Sequence, residues 1–454
     1  SDGSAGSDRD VMHVDGRPRV MIVGGGFAGL AAAKQLSKSH AEVVLLDRQN
    51  HHLFQPLLYQ VATASLSPAD ISKPIRATLP RKSTCQVVLT DVVDIDPDRK
   101  RVITAEGSAP YDYLVIAAGV RHDYFGHDDW EKSAPGLKTI SDATEIRRRM
   151  LLAFESAEHE ANEHARQAAL TFVVVGGGPT GVELAGALKS IASKTLPREY
   201  RNIDTKTARV ILYEGGPRLL AGFPQKLSDR AKRDLEKLGV EVELDTQVTS
   251  VDGEGVGLGD RFVFARNVIW AAGVKASPIT QSLGCAVDRA GRVLVEPDLS
   301  VPGRPEIFVI GDAASVKNEG ADTPVPGVAP AALQMGKYAG RAIRDEIAGK
   351  TRPKGRKPFK YVDKGSMAII GKNKAVAAVA GRCFAGFPAW LLWALVHVVF
   401  LVGFRNRIRV LFNWALVWLL NSHDARIIVG ERKLNVREPR GAGFELARPS
   451  EPAA

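Results

Sequence analysis

The chain has 454 residues, 45% hydrophobic and 25% charged, with a formal net charge of +10. That is the composition of a folded globular protein long enough for two or three domains, not of a disordered or low-complexity chain. Cys85, Cys285 and Cys383 lie far apart with no Cys-x-x-Cys pair, so neither a disulfide framework nor a metal site is expected, and a reducing compartment is.

Residues 1–17 are polar and rich in Gly, Ser and Asp, without the apolar core of a signal peptide, and read as a disordered tail. A hydrophobic strand, Val20 to Val23, then enters Gly24-Gly25-Gly26-Phe27-Ala28-Gly29, a small-residue helix follows, and the next strand ends at Asp47. In such a unit Gly24 permits the tight turn and Gly26 lets the backbone approach a pyrophosphate. Gly29 lets helix and strand pack closely, and the helix N-terminus offers free N–H groups. Asp47, 18 positions after Gly29, is placed to accept from a ribose diol. A strand–turn–strand region runs on to Ile116-Ala117-Ala118-Gly119, and residues 141–166 read as a charged helix.

The pattern then repeats. Phe172 to Val175 enters Gly176-Gly177-Gly178-Pro179-Thr180-Gly181, a helix begins with Val182-Glu183-Leu184, and a strand ends at Glu214. Glu214 lies 33 positions after Gly181, so this copy carries an insertion from Thr195 onward. Trp270-Ala271-Ala272-Gly273 matches Ile116-Ala117-Ala118-Gly119, and small residues at these strand ends let the backbone crowd a bound dinucleotide. One glycine-rich turn is a weak signal; two copies, each within strand–turn–helix–strand–acid, read as two dinucleotide sites.

A buried strand run next ends in Gly311-Asp312, followed by a Pro-rich loop and a helix over 331–347. If that strand rejoins the first unit, the second is inserted in the first. The expected fold is therefore α/β: two Rossmann-like dinucleotide-binding domains, the second inserted in the first, then a C-terminal amphipathic helical membrane-anchoring region. The division is a tail at 1–17, a first domain at 18–140 and 290–350, a second at 141–289, a C-terminal region at 351–430 and a polar tail at 431–454.

Residues 341–382 hold twelve Lys/Arg against three Asp/Glu, nearly the whole charge excess. Few aromatics interleave, which argues against nucleic acid, and an apolar tail follows at once. A basic patch beside a hydrophobic anchor suits an anionic membrane surface. In the tail, Phe387 to Phe404 carries one polar side chain, His397; an Arg cluster and a second apolar stretch, Val410 to Leu420, follow. The first stretch is at the lower limit of a spanning helix and the second falls short of it. The Arg cluster and Trp390, Trp393, Trp414 and Trp418 favour a helix pair lying in the membrane interface. A core hairpin or a homodimer interface is the other reading of these residues.

The chain resembles the two-dinucleotide-binding flavoproteins and, within them, the type II NADH dehydrogenases, single-subunit NADH:quinone oxidoreductases. The resemblance covers roughly 18–430 and rests on His51 to Ala62, Gly178 to Gly186, Gly311-Asp312, Lys364 to Ala368 and Phe400 to Arg407. It implies non-covalent FAD in the first unit, against Gly24, Gly26, Phe27, Ala28, Gly29, Asp47, Arg48, Gln55, Pro56, Val93, Ala118, Gly119 and Ala332, with Asp312 reaching the ribityl chain. It implies NADH in the second, against Gly176, Gly178, Pro179, Thr180, Gly181, Glu183, Glu214, Ala272 and Gly273.

An acid at 214 repels the extra phosphate of NADPH, although Arg218 is close enough in sequence to blur that preference. The resemblance further implies Glu183 at the nicotinamide–flavin junction and Lys364 beside the flavin ring near a quinone pocket. Gln334 is a quinone-site candidate, whereas Pro330 replaces a glutamine common in the family. The implied reaction passes two electrons from NADH through FAD to ubiquinone or menaquinone without proton pumping, on the cytoplasmic face of the inner membrane. A sulfide:quinone oxidoreductase needs cooperating cysteines that this chain lacks, and a disulfide reductase needs a Cys-x-x-Cys. A flavoprotein serving as an NADH-responsive scaffold keeps both motifs without a quinone pocket.

Overall fold

Arg19–Val23 is buried along its whole length, as an apolar run without alternation requires of a strand covered on both faces. It pairs in parallel with Glu42–Asp47 on one side and with Tyr113–Ile116 on the other. The computed structural model describes residues 16–81, 83–420 and 425–428; the expected disorder over 1–15 and the polar tail at 431–454 lie outside the described residues. Cys85–Leu89 extends the sheet beyond Glu42–Asp47. On the other side of the sheet Arg304–Val309 pairs in parallel with Tyr113–Ile116, so the chain returns to its first sheet after the whole second unit.

The second sheet is parallel in the order Val240–Glu243, Arg209–Tyr213, Thr171–Val175, Asn267–Trp270. Between the sheets, Val120–His122 and Val274–Ala276 form an antiparallel ribbon. The segment expected as one charged helix is two, Ile140–His159 and Glu163–Ala169. The Asn162 side chain accepts from the Ala165 N–H and starts the second helix, as a short polar side chain competing for backbone donors does. The insertion after the second glycine loop is made of short turns at Ile191–Thr195, Leu196–Arg198 and Thr205–Thr207.

Past the helix Ala329–Ile347 comes an antiparallel sheet of Ser366–Gly371, Lys374–Val379 and Arg382–Ala385, then helices Phe387–Phe400 and Phe404–Leu420. Helix Pro179–Ser190 of the second unit rests directly on Ser366–Gly371: a Cβ on Gly186 would overlap the Ile370 carbonyl, so only glycine allows that approach. Among the described residues no helix is long and apolar enough to cross a membrane.

The tryptophans expected to anchor an interface divide. Trp393 is 2% exposed, tilted against Trp414 at 5.1 Å and stacked on His397 at 4.3 Å. Trp414 donates to Gln60 Oε1 at 2.7 Å, so this pair closes the core. Trp418 stays at the surface beneath Lys372. His397 Nδ1 donates to Trp393 O within its own helix at 2.7 Å, and burial pushes its pKa down to about 4.

Candidate active site

Both glycine loops are held by the same device. Gly25 N donates to Asp47 Oδ2 at 2.5 Å and Gly177 N donates to Glu214 Oε2 at 2.5 Å. The other carboxylate oxygen accepts two residues further along, from Gln49 N at 2.6 Å and Gly216 N at 2.8 Å. Each acid is thus fixed at the mouth of its loop by charge-assisted bonds before any ligand arrives.

The glycines divide by purpose. Gly24 (φ +100°) and Gly176 (φ +110°) sit in the left-handed region, where a Cβ would meet the backbone of Ala117 and of Ala271. By contrast, a Cβ on Gly26 or Gly178 would meet nothing within 4 Å. Fold packing does not require those two glycines; the open space beside them is where a pyrophosphate would lie, and the site fits one.

Around the first cradle, Phe27 meets His52 edge-on at 5.0 Å, and His52 Nδ1 bonds Gly25 O at 3.1 Å. Burial depresses His52 to about 4, so it is a neutral structural donor. Ala28, Gly29 and Ala332 are buried; Ala118 and Gly119 stand at the strand end beside the loop; Pro56 is partly buried; Arg48, Gln55 and Val93 are exposed. Val93 sits at a register shift in the hairpin that leaves the sheet beside Asp47.

Asp312 faces Gly327, where a Cβ would lie 3.4 Å from its Oδ1. Burial raises its pKa, while Lys138 and Arg292 oppose the rise. Lys138 is itself depressed by burial, and its carbonyl accepts from Gln55 Nε2 at 3.3 Å. Sequence reasoning missed Lys138, which carries no motif; its only hint is a cation in an otherwise apolar run.

Around the second cradle a cavity of about 770 Å³ is lined by Gly176, Gly178, Glu214, Ala272 and Gly273, with Thr246, Gln247, Phe125, His127, Trp130 and Trp270. Pro179 and Thr180 are exposed at its helix and Gly181 is buried beneath. Arg218 is tied back, donating to Ala221 O at 2.6 Å and to Phe223 O and Gln225 Oε1 at 3.1 Å each.

Glu183 lies between the two units and is only 8% exposed. Its Oε1 accepts from Ile369 N at 3.3 Å, and the buried Trp393 indole N–H faces the same carboxyl. Burial raises its pKa to about 8, against the pull of these two donors. Tyr59, fully buried, is raised by burial and then by Glu183; its hydroxyl accepts from Gln60 Nε2 at 2.8 Å. The carboxyl therefore holds a proton near neutral pH.

Gln334 is fixed to Val362, two residues before Lys364. Gln334 Nε2 donates to Val362 O at 2.9 Å and Val362 N donates to Gln334 Oε1 at 3.0 Å. Both ends of that amide are engaged, so Gln334 fastens the extended segment that leads to the exposed Lys364. The three cysteines are free and sit in three separate places, and burial raises the Cys85 thiol to about 12.

Two nucleotide cradles of the same build, a buried acid near the second and no paired thiols define a flavin-dependent pyridine-nucleotide oxidoreductase of the non-disulfide kind. The profile of the pyridine nucleotide-disulphide oxidoreductases matches residues 18–336, and that of the NDH2 C-terminal domain matches 364–422. The type II NADH:quinone oxidoreductase NdhA of Mycobacterium tuberculosis is 45% identical over 439 residues, covering 94% of this chain and 92% of that one. The same organism's Ndh, also a type II NADH:quinone oxidoreductase, is 44% identical over 89% of this chain and 88% of its own.

NDH2 from Plasmodium falciparum, solved in complex with NADH, shares the fold at TM-score 0.81 and 21% identity, covering 91% of this chain and 100% of that one. The sulfide:quinone oxidoreductase of Aquifex aeolicus shares it at 0.68 and 20%, covering 89% and 96%. The chain belongs to the type II NADH:quinone oxidoreductases.

Proposed function

We propose that the chain binds NADH on Gly176–Gly181 and Glu214, carries FAD on Gly24–Gly29, Asp47 and Asp312, and reduces a membrane quinone beside Lys364. The carrying observation is the doubled device of acid and middle glycine. Its second copy presents a carboxylate where a 2′-phosphate would fall, and Arg218, the cation nearest to it in sequence, is tied back. Bound FAD supplies two-electron transfer between a nicotinamide and a quinone.

The chain's own residues do the rest. Asp47 and Glu214 hold ribose hydroxyls, the loop N–H groups hold phosphates, and Trp393, Tyr59 and Phe54 keep water from the junction. Glu183 keeps a proton at its carboxyl there, and Gln334 sets the approach of Lys364. Reaction in this reading moves no proton across the membrane. The domain division that fits is 18–140 with 290–350 for FAD, 141–289 for NADH and 351–430 for quinone and membrane.

Leu391, Leu395, Val399, Phe400, Phe404, Ile408, Leu411, Phe412 and Leu419 are exposed on the two terminal helices. So large an apolar surface on consecutive helices suits a bilayer interface, where the exposed Arg405 and Arg409 meet headgroups. Part of the basic excess is spent inside: Arg356 is buried between Glu346 and Asp298. The protein in this reading is peripheral, on the cytoplasmic face of the inner membrane. Steady-state NADH oxidation with a soluble quinone analogue tests the function; turnover with disulfide or persulfide acceptors and none with quinone would overturn it.

A further inference from the structure

Phe125 is a large apolar side chain left 63% exposed, held at φ +53°, a conformation that bulky residues rarely adopt. Its neighbours make that position deliberate rather than loose. Tyr124 turns inward, stacks on Trp270 at 5.2 Å and donates to Ala134 O at 2.9 Å. Asp123 accepts from Phe125 N at 3.0 Å through its side chain and from Trp270 Nε1 at 2.9 Å through its carbonyl. Lys275 pairs with the same carboxylate at 3.7 Å. Just before, Val120–His122 is bound into the ribbon with Val274–Ala276. The turn is thus fixed to the second unit while its chain comes directly from Ala118-Gly119 of the first.

The ring projects over the strand end of the second cradle. It meets Trp270 at 6.2 Å, and a Cβ on Gly273 would lie 2.6 Å from Phe125 Cζ. It lines the same cavity as Gly176, Gly178 and Glu214. The strand order gives the direction. Glu214 ends the strand on one side of Thr171–Val175, and Trp270 ends the strand on the other. A dinucleotide whose adenosine ribose is at Glu214 and whose pyrophosphate crosses Gly178 carries its other half toward Gly273.

We propose that Phe125 is a nucleotide-positioning residue whose ring packs against the nicotinamide ring of NADH, holding it at the junction with the first unit. The proposal rests on the reading of the second cradle as the NADH site. It accounts for an exposed aromatic ring kept in a strained turn: the apolar face is completed only by the ligand, as strained residues at ligand clamps are. It also joins the two sites in one segment, with Ala118 against the first nucleotide and Phe125, seven residues on, against the second.

The test uses the FAD-loaded protein, two probes and the variant Phe125→Gly. NAD⁺ and ADP-ribose, which lacks the nicotinamide ring, are titrated calorimetrically. NAD⁺ affinity should fall about five- to tenfold, while ADP-ribose stays within about twofold, the loss expected for one aromatic packing contact. The melting temperature should hold or rise, because glycine relieves the positive φ, so a merely structural role predicts the opposite pattern. Phe125→Trp, which keeps a flat ring, should restore NAD⁺ binding. Equal weakening of both probes, or of neither, overturns the proposal. Wild-type protein that binds no ADP-ribose overturns the nucleotide-site reading itself, a failure distinct from the first.

Discussion

Replacing Glu183 by Gln tests the junction between the two units, because the substitution keeps size and one acceptor for Ile369 N–H while removing the titration. Burial raises Glu183 from 4.5 to about 8, which at ~1.36 kcal/mol per unit is worth about 5 kcal/mol. The sign follows from proton counts. Between those values the folded protein binds more protons than the unfolded chain, so stability falls as pH rises from about 4.5 to about 8. Local opening that lets water reach the carboxylate limits the loss, leaving about 2–4 kcal/mol by pH ~9. The Gln variant escapes this loss. Its melting temperature should match wild type near pH ~5 and exceed it by roughly 5–10 °C near pH ~9, for a unit of about 150 residues. Thermal unfolding of FAD-loaded protein across that range measures it. Parallel curves for the two proteins would refute the reasoning, since a solvated carboxylate at 183 would be the only consistent reading.

Glu214→Gln should narrow the NADH-over-NADPH ratio of kcat/KM about ten- to hundredfold by removing a charge-assisted acceptor; an unchanged ratio counts against Glu214 on the ribose. Asp312→Ala should lower FAD occupancy after gel filtration, read from the flavin absorbance per chain, and full occupancy would remove Asp312 from the site. Gln334→Ala frees the segment at Val362 and should raise KM for quinone while leaving the rate of flavin reduction by NADH unchanged; a change confined to NADH would contradict the role given to Gln334. Truncating the terminal helices would uncover Glu183 by removing Trp393, so the membrane face is tested by Leu395→Ser with Phe404→Ser and Phe412→Ser. Those changes should release protein from vesicles at ~1.5–3 kcal/mol per side chain and leave NADH reduction of FAD intact.

The two cradles were legible because their requirements are local: a turn needing glycine, a ribose needing an acid, a strand run needing full burial. The doubled loops, Asp47 and Glu214 therefore stand where spacing put them. The charged helix over 141–166 was not legible as two, since the break depends on one cap at Asn162 rather than on periodicity. The sequence does not place Trp393, because an apolar run gives no direction. Whether that tryptophan faces out or into the core is decided by Glu183, 210 residues earlier, which it covers. Phe125 carries no signal in the sequence and Lys138 only a weak one, because each acquires its meaning from a partner distant in the chain.

In the proposed function two nucleotides meet across one junction, each on its own copy of the loop. Anaerobic stopped-flow on FAD-loaded protein tests it most directly. One equivalent of NADH should bleach the flavin absorbance, and a subsequent pulse of quinone should restore it. Flavin that stays oxidised with NADH, or that bleaches and is recoloured by a disulfide but not by quinone, would contradict the account.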